Sequence, residues 1–167
     1  MARRTRKRGV TDTDKGYADL RRTLAKIRAE RPYVVVGIRG QAGAQTYESD
    51  GKAISLVEIG AVHEFGSSDG RIPQRPYMRP TFDARRDSYE DGFVRGIGRV
   101  VDGTSDIDTE LGHLGLVVAG DIQETIATLT DPPLAQITID RKGSSKPLID
   151  TGRLKQSIDH EVRRGDG

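Results

Sequence analysis

Apolar side chains recur with a helical period in three long stretches of this chain and cluster with strand-like density in a few short ones. In the first stretch Tyr17, Leu20, Leu24 and Ile27 fall three or four residues apart among charged positions. That spacing predicts an amphipathic helix over residues 13–30, ended by Pro32. The β-branched run from Tyr33 to Ile38 then suits a buried strand. The glycine-rich stretch after it, residues 39–52, carries a turn signal at Asp50-Gly51, so a β-hairpin or a long flexible loop is expected there. Ser55 with Glu58 three positions on forms a capping-box pattern ahead of Leu56, Ile59, Val62 and His63, predicting a short helix over about 56–65 that Gly66 stops.

A loop holding Pro73 and Pro76 leads into a longer helix whose apolar stripe is Tyr89, Phe93, Ile97, Val100 and Val101. Gly92, Gly96 and Gly98 lie within it, each costing about 1 kcal/mol relative to alanine, which implies close packing or a bend. The strongest periodic signal is Leu111, Leu114, Val118, Ile122, Ile126 and Leu129, one side of a helix of about five turns. Beyond it come a turn at Asp131-Pro132-Pro133, an expected strand at Gln136–Ile139, a basic glycine-serine loop, a short helix capped by Thr151, and a closing strand at Ile158–Val162. These elements predict an α+β fold, with a small mixed or antiparallel sheet packed against two long helices, extended loops and an N-terminal arm. No internal repeat is visible. The expected division is a basic arm over 1–10 and one domain over 11–167.

Composition narrows the picture. At 167 residues with 34% hydrophobic content and 20 glycines, the chain predicts one thin core beneath much polar surface. The absence of cysteine excludes disulfides and thiolate ligands. No apolar run approaches the length of a membrane span, and the polar N-terminus lacks the pattern of a signal peptide, so a soluble protein without a membrane partner is expected. The net charge of +2 hides an asymmetry, because Arg3, Arg4, Arg6, Lys7 and Arg8 sit in the first eight positions with no acid among them. The remaining 22 basic and 25 acidic residues leave the body at −3. Such a body argues against a broad basic DNA-binding face, while the arm offers contacts to phosphate or to an acidic partner that salt would weaken.

His63 beside Glu64 raises the question of catalysis. A zinc protease needs a second histidine one helical turn on, and that position is Ser67. His113 and His160 are distant in sequence, and adjacent helical residues such as His63 and Glu64 diverge in direction. The loop at Gly37–Gly43 lacks the terminal Lys-Ser/Thr of a phosphate-binding loop, and in the segment from Arg141 to Pro147 the lysine precedes the glycine. A serine nucleophile would need a G-x-S-x-G elbow or an S-x-x-K motif, and neither is expected in this chain, so neither an enzyme site nor a cofactor or metal site is expected.

Three segments remain: Val62-His63-Glu64-Phe65-Gly66, then Ile72-Pro73-Gln74-Arg75-Pro76-Tyr77-Met78-Arg79-Pro80, then Pro147 to Leu154. Each reads as a junction: an aromatic-glycine helix stop expected to seat Phe65 in the core, a proline-braced extended segment, and a threonine cap before a short helix. Together, in this order, they resemble the tail completion or minor tail assembly proteins of long-tailed and Mu-like bacteriophages. The resemblance rests on His63 to Gly66; on Ile72, Pro73, Arg75, Pro76, Met78, Arg79 and Pro80; and on Lys142 to Ser145, Pro147, Leu148, Asp150 to Leu154, Ser157 and Ile158. It extends over residues 34–162. The departures are Tyr77 where phenylalanine is usual and Leu134-Ala135 where an Asn-Ala pair is usual, and the basic arm is less typical.

The resemblance implies a structural virion protein at the neck, assembled in the host cytoplasm, that completes the tail and joins it to the head connector. It implies a homo-oligomeric ring, sixfold by expectation, around the DNA channel. Its partners would be a connector or stopper on one side, a tail terminator or tube protein on the other, and non-specific genomic DNA in the lumen. The expected interface residues are His63, Glu64, Phe65, Gly66, Ile72, Pro73, Arg75, Pro76, Arg79, Asp150, Thr151, Gly152, Arg153 and Leu154, with the second and third segments packed near one another. A tail terminator or head-tail stopper is the alternative within the class. A small nucleic-acid-binding protein acting through the arm is the alternative from another.

Overall fold

The structure, a computed structural model, describes residues 16–40, 44–49, 52–142, 146–148 and 152–165. In chain order the elements are α1 (Tyr17–Glu30), β1 (Pro32–Ile38), β2 (Thr46–Ser49), β3 (Lys52–Ser55), α2 (Leu56–Phe65), α3 (Arg79–Val101), α4 (Ile107–Thr128), α5 (Gln136–Lys142), α6 (Arg153–Gln156) and β4 (Ile158–Arg164). The basic arm, the Asp50-Gly51 turn, the Gly143–Ser145 loop, Asp150 and Thr151 lie outside the described residues.

The α+β class is as the pattern predicts, and the strands are antiparallel. They form two separate two-stranded sheets rather than one. β1 pairs with β4 from Pro32↔Arg164 to Ile38↔Ile158, and β2 pairs with β3 from Thr46↔Ser55 to Ser49↔Lys52, so the glycine-rich stretch closes as a hairpin.

The expected strand at Gln136–Ile139 is a helix. Among the described residues no strand lies beside it, since β1 pairs with β4 and β2 with β3, and β propensity without a neighbouring strand is weak. Helical bonds take over instead: the Thr138 and Ile139 amides donate to the Ala135 carbonyl at 2.9 and 3.1 Å. The Gln136 side chain also reaches Asp140 one turn on, at 2.8 Å.

α4 is the central element, packed against α3 on one side and both strands of the β1–β4 sheet on the other. Its start is set by Asp106, whose carboxylate accepts from the Asp108 and Thr109 amides at 3.0 Å. Leu111, Val118, Ala119, Ile122 and Ile126 are buried along its inner faces. Tyr89 and Val100 of α3 are buried as the stripe predicted, whereas Phe93 and Val101 are exposed. Polar bridges fix the α3–α4 pairing: Thr81 to Thr125 at 2.6 Å, the Tyr89 hydroxyl to Asp121 at 2.8 Å, and Arg85 to Glu124 at 2.7 Å. Close packing explains one of the three helix glycines, for a Cβ at Gly96 would lie 3.0 Å from a Glu110 oxygen.

α1 differs from every other long helix, because none of its residues is buried. It ends at Arg31, in a left-handed conformation at φ 45°, with Pro32 opening β1. Its last turn is tied to the far strand: the Gly165 amide donates to the Glu30 and Arg31 carbonyls at 3.1 Å, and Arg164 pairs with Glu30 at 2.9 Å.

Candidate assembly interface

The first two motif segments meet at one side chain. The capping box that starts α2 is present: Ser55 Oγ accepts the Glu58 amide at 3.2 Å, and the Glu58 carboxylate accepts the Ser55 amide at 2.7 Å. The Ser55 amide, and then the Ser55 hydroxyl at 2.8 Å, donate to the Glu58 carboxylate and hold it below the usual carboxylate range. Two and a half turns on, the helix delivers Glu64 into the interior, where it is 6% exposed. Its carboxylate accepts the backbone amides of Tyr77 at 2.7 Å, Met78 at 2.9 Å and Arg79 at 3.1 Å. Those amides open α3, which has no capping side chain of its own. Glu64 is therefore the N-terminal cap of α3 supplied from another helix, placing an anion where the helix dipole favours one. Pro80 at the start of α3 lacks an amide to satisfy.

Gly66 ends α2 as expected, at φ 80°, with its amide bonded to the Val62 carbonyl at 2.8 Å. The chain then returns antiparallel to itself, with Ser67 donating to the Ile72 carbonyl at 2.9 Å and Arg75 to the His63 carbonyl at 2.7 Å. Phe65 is not seated in the core: it is 65% exposed, because one residue turns the helix by about 100° and Glu64 takes the inward direction. The Arg79 guanidinium lies over its ring at 6.0 Å.

Arg75 is 4% exposed and pairs with no carboxylate among the described residues. It donates to the Pro132 and Pro133 carbonyls at 2.8 and 3.0 Å, which fastens the turn after α4 to this junction. Burial draws its pKa below the ordinary value. Tyr77 is 1% exposed, and burial together with the Glu64 charge pushes its hydroxyl pKa up. Gly60 leaves room for this packing, since a Cβ there would meet Ile38 at 2.2 Å and the Tyr77 hydroxyl at 2.8 Å.

The third segment reaches the same neighbourhood. Leu148 and Leu154 are buried in the core, and Arg153 stacks over the hairpin's Tyr47 at 5.3 Å. α6 begins after Gly152 at φ 76° with no side-chain cap, while Thr151 and Asp150 lie outside the described residues. A groove of about 810 Å³ is lined jointly by Arg71, Ile72, Pro73 and Arg75 of the loop and by Gly152, Arg153 and Leu154, with His63 and Ile59 contributing from α2. The loop and the segment at Gly152–Leu154 are thus brought together, as expected. Ile72 is exposed, Pro76 is half-buried, and Arg3, Arg4, Arg6, Lys7 and Arg8 lie outside the described residues.

Sequence reasoning missed two features. The first is a second groove, of about 890 Å³, whose lining includes Phe65, Phe82, Phe93 and Val57. Phe82 and Phe93 are eleven residues apart, about three helical turns, so their common face is readable in the sequence, but the apolar stripe of α3 groups Phe93 with Tyr89 and Val100 instead. The second is a pair of serine spacings. Gly66-Ser67-Ser68-Asp69-Gly70 fits G-x-S-x-G, and Ser49-Asp50-Gly51-Lys52 fits S-x-x-K. A nucleophile elbow stands between strand and helix, whereas Ser68 is exposed in a turn after a helix, where the neighbouring Ser67 hydroxyl bonds Asp69 at 2.6 Å. Ser49 and Lys52 are cross-strand partners at a hairpin end, not residues on one helix face.

Among the described residues no group of three His, Asp or Glu suits a metal ion, and no helix is long and apolar enough to cross a membrane. Neither a family model, nor a curated protein, nor a solved structure matches the chain.

Proposed function

We propose that this chain is a structural protein of a bacteriophage neck, which completes the tail and joins it to the head connector as a ring around the DNA channel. The observation that supports this reading is the convergence of its three motif segments on one junction. Glu64 from the first caps the helix that follows the second, Arg75 from the second clamps the α4–α5 turn, and the third shares their groove. None of these contacts activates a nucleophile or binds a cofactor; each fixes the angle between elements. A protein that transmits position through a ring needs such rigid joints, together with apolar surface left over for its neighbours. Here twelve large apolar side chains are exposed among the described residues, against eleven buried in the core.

Epitope-tagging the chain in its native genome and immunogold-labelling released particles tests the proposal. Gold at the head-tail junction, with rings of the purified protein in negative stain, is the expected result. Particles that carry no label, or a purified protein that never forms rings, would overturn it.

A further inference from the structure

The chain has three phenylalanines, and all three are on its surface: Phe65 is 65% exposed, Phe82 48% and Phe93 44%. All line the second groove, between α2, α3 and β1, with Val57 at its edge. A soluble chain that leaves every phenylalanine exposed in one concavity presents a binding surface, and an amphipathic helix is the element that fills such a groove.

The same chain holds an amphipathic helix, α1, none of whose residues is buried. In α1, Tyr17 is 66% and Leu24 49% exposed, Leu20 and Ile27 are half-buried, and the four follow the three-and-four spacing by which a helix anchors in a groove. No residue of α1 lines the groove of its own chain. The Gly165 and Arg164 ties hold α1 at the Pro32 end of β1, while the groove opens along Val34, Val36 and Ile38. The charges are complementary. α1 carries Arg21, Arg22, Lys26 and Arg28 against Asp19 and Glu30, which leaves it net basic, and the groove is lined by Glu64, Asp83 and Glu90 against Arg79, which leaves it net acidic. Arg79 of the groove lies over the Phe65 ring, and Arg86 of α3 lies over the Phe82 ring.

We infer that α1 of one copy docks into the Phe65–Phe82–Phe93 groove of the next copy. Plug and socket occupy different places on the chain, so the contact is heterologous, and it closes a ring where the rotation permits. Closure rests on the ring reading above; the contact rests on the helix and the groove alone.

The test uses the full chain with Leu24→Glu, which spoils the plug, and Phe93→Glu, which spoils the socket. Both positions are exposed, so thermal melts near wild type are expected, and Tyr17→Glu with Phe82→Glu forms an independent pair. Light scattering after size exclusion should show the wild type assembled and each variant monomeric. An equimolar mixture of the two variants should give a one-to-one heterodimer and nothing larger, because one intact plug meets one intact socket. Assembly that persists in either single variant, or a mixture that stays monomeric, overturns the inference. The gold-labelling result bears on the neck reading alone: rings that survive both substitutions remove this contact and leave the neck standing.

Discussion

The two ends of α3 are each held by a buried glutamate from another element, and they are held differently. At the N-terminal end Glu64, 6% exposed, binds only backbone, taking the amides of Tyr77, Met78 and Arg79. At the C-terminal end Glu110, 8% exposed, binds a side chain, pairing with both Arg99 nitrogens, Nε at 2.9 Å. The first arrangement fixes the start of the helix whatever side chains occupy its first turn. The second depends on side chains, chiefly Arg99, which is itself about half exposed, and water competes for it. Backbone capping from a distance is thus the stiffer joint, and it lies where the motif segments meet.

Glu64→Gln should break this difference most visibly. Two carboxylate oxygens serve three amides, and a glutamine must turn its NH₂ toward at least one of them, leaving a donor without an acceptor near the core. A loss of about 3 kcal/mol is expected in urea unfolding. Arg79→Ala sharpens the point, since it keeps the backbone amide and should cost less than about 1 kcal/mol. Equal losses from the two substitutions would show that Glu64 acts through Arg79's charge rather than its backbone.

Ser55→Ala comes next, at about 1 kcal/mol, because it removes one half of the capping box that orients α2 and hence Glu64. If Glu64 needs α2 in this register, the double variant Ser55→Ala, Glu64→Gln should lose less than the sum of the two singles.

Glu110→Gln has the smaller effect, and acid erases it. The hydrogen bond from Arg99, followed by one from Ser105, holds the Glu110 carboxyl at about 2, below its ordinary value of 4.5. A carboxylate lowered on folding adds stability above its unfolded pKa and loses it as pH falls toward the folded value. The gap between wild type and Glu110→Gln should therefore be full above about pH 4.5 and close as pH approaches about 2. Urea midpoints across that range decide it; a gap independent of pH would mean that the charge is not what Glu110 contributes.

How much of this was legible depended on whether the signal was local. The capping box at Ser55 and Glu58, the stop at Gly66 and the stripe on α4 are written within one or two helical turns, and the structure has them at those positions. The Gln136–Ile139 segment misled because its residue types favour strands while a strand's existence depends on a partner elsewhere in the chain. Glu64 was placed at the right helix end but not in its role: nothing in the sequence states that the amides thirteen to fifteen residues on lie open to it. Phe65 was misplaced because hydrophobicity was read without direction, when the inward direction had already gone to its neighbour.

That misplacement yields the last and smallest effect. Glu64 and Phe65 are adjacent, yet the charged residue is buried and the aromatic one is exposed, the reverse of what transfer energies alone would assign. If the junction is built around Glu64, then Phe65→Ala removes from the folded monomer a largely exposed ring that Arg79 stacks on at 6.0 Å. Its cost to unfolding should be at most about 1 kcal/mol, well below that of its neighbour. The measurement must be made on the monomeric Leu24→Glu background, where the groove is empty. On the assembled wild type the same substitution should cost more, because a ring buried beneath another copy's helix loses the area that solvent now covers. A phenylalanine that mattered equally in both backgrounds would belong to the core of its own chain after all.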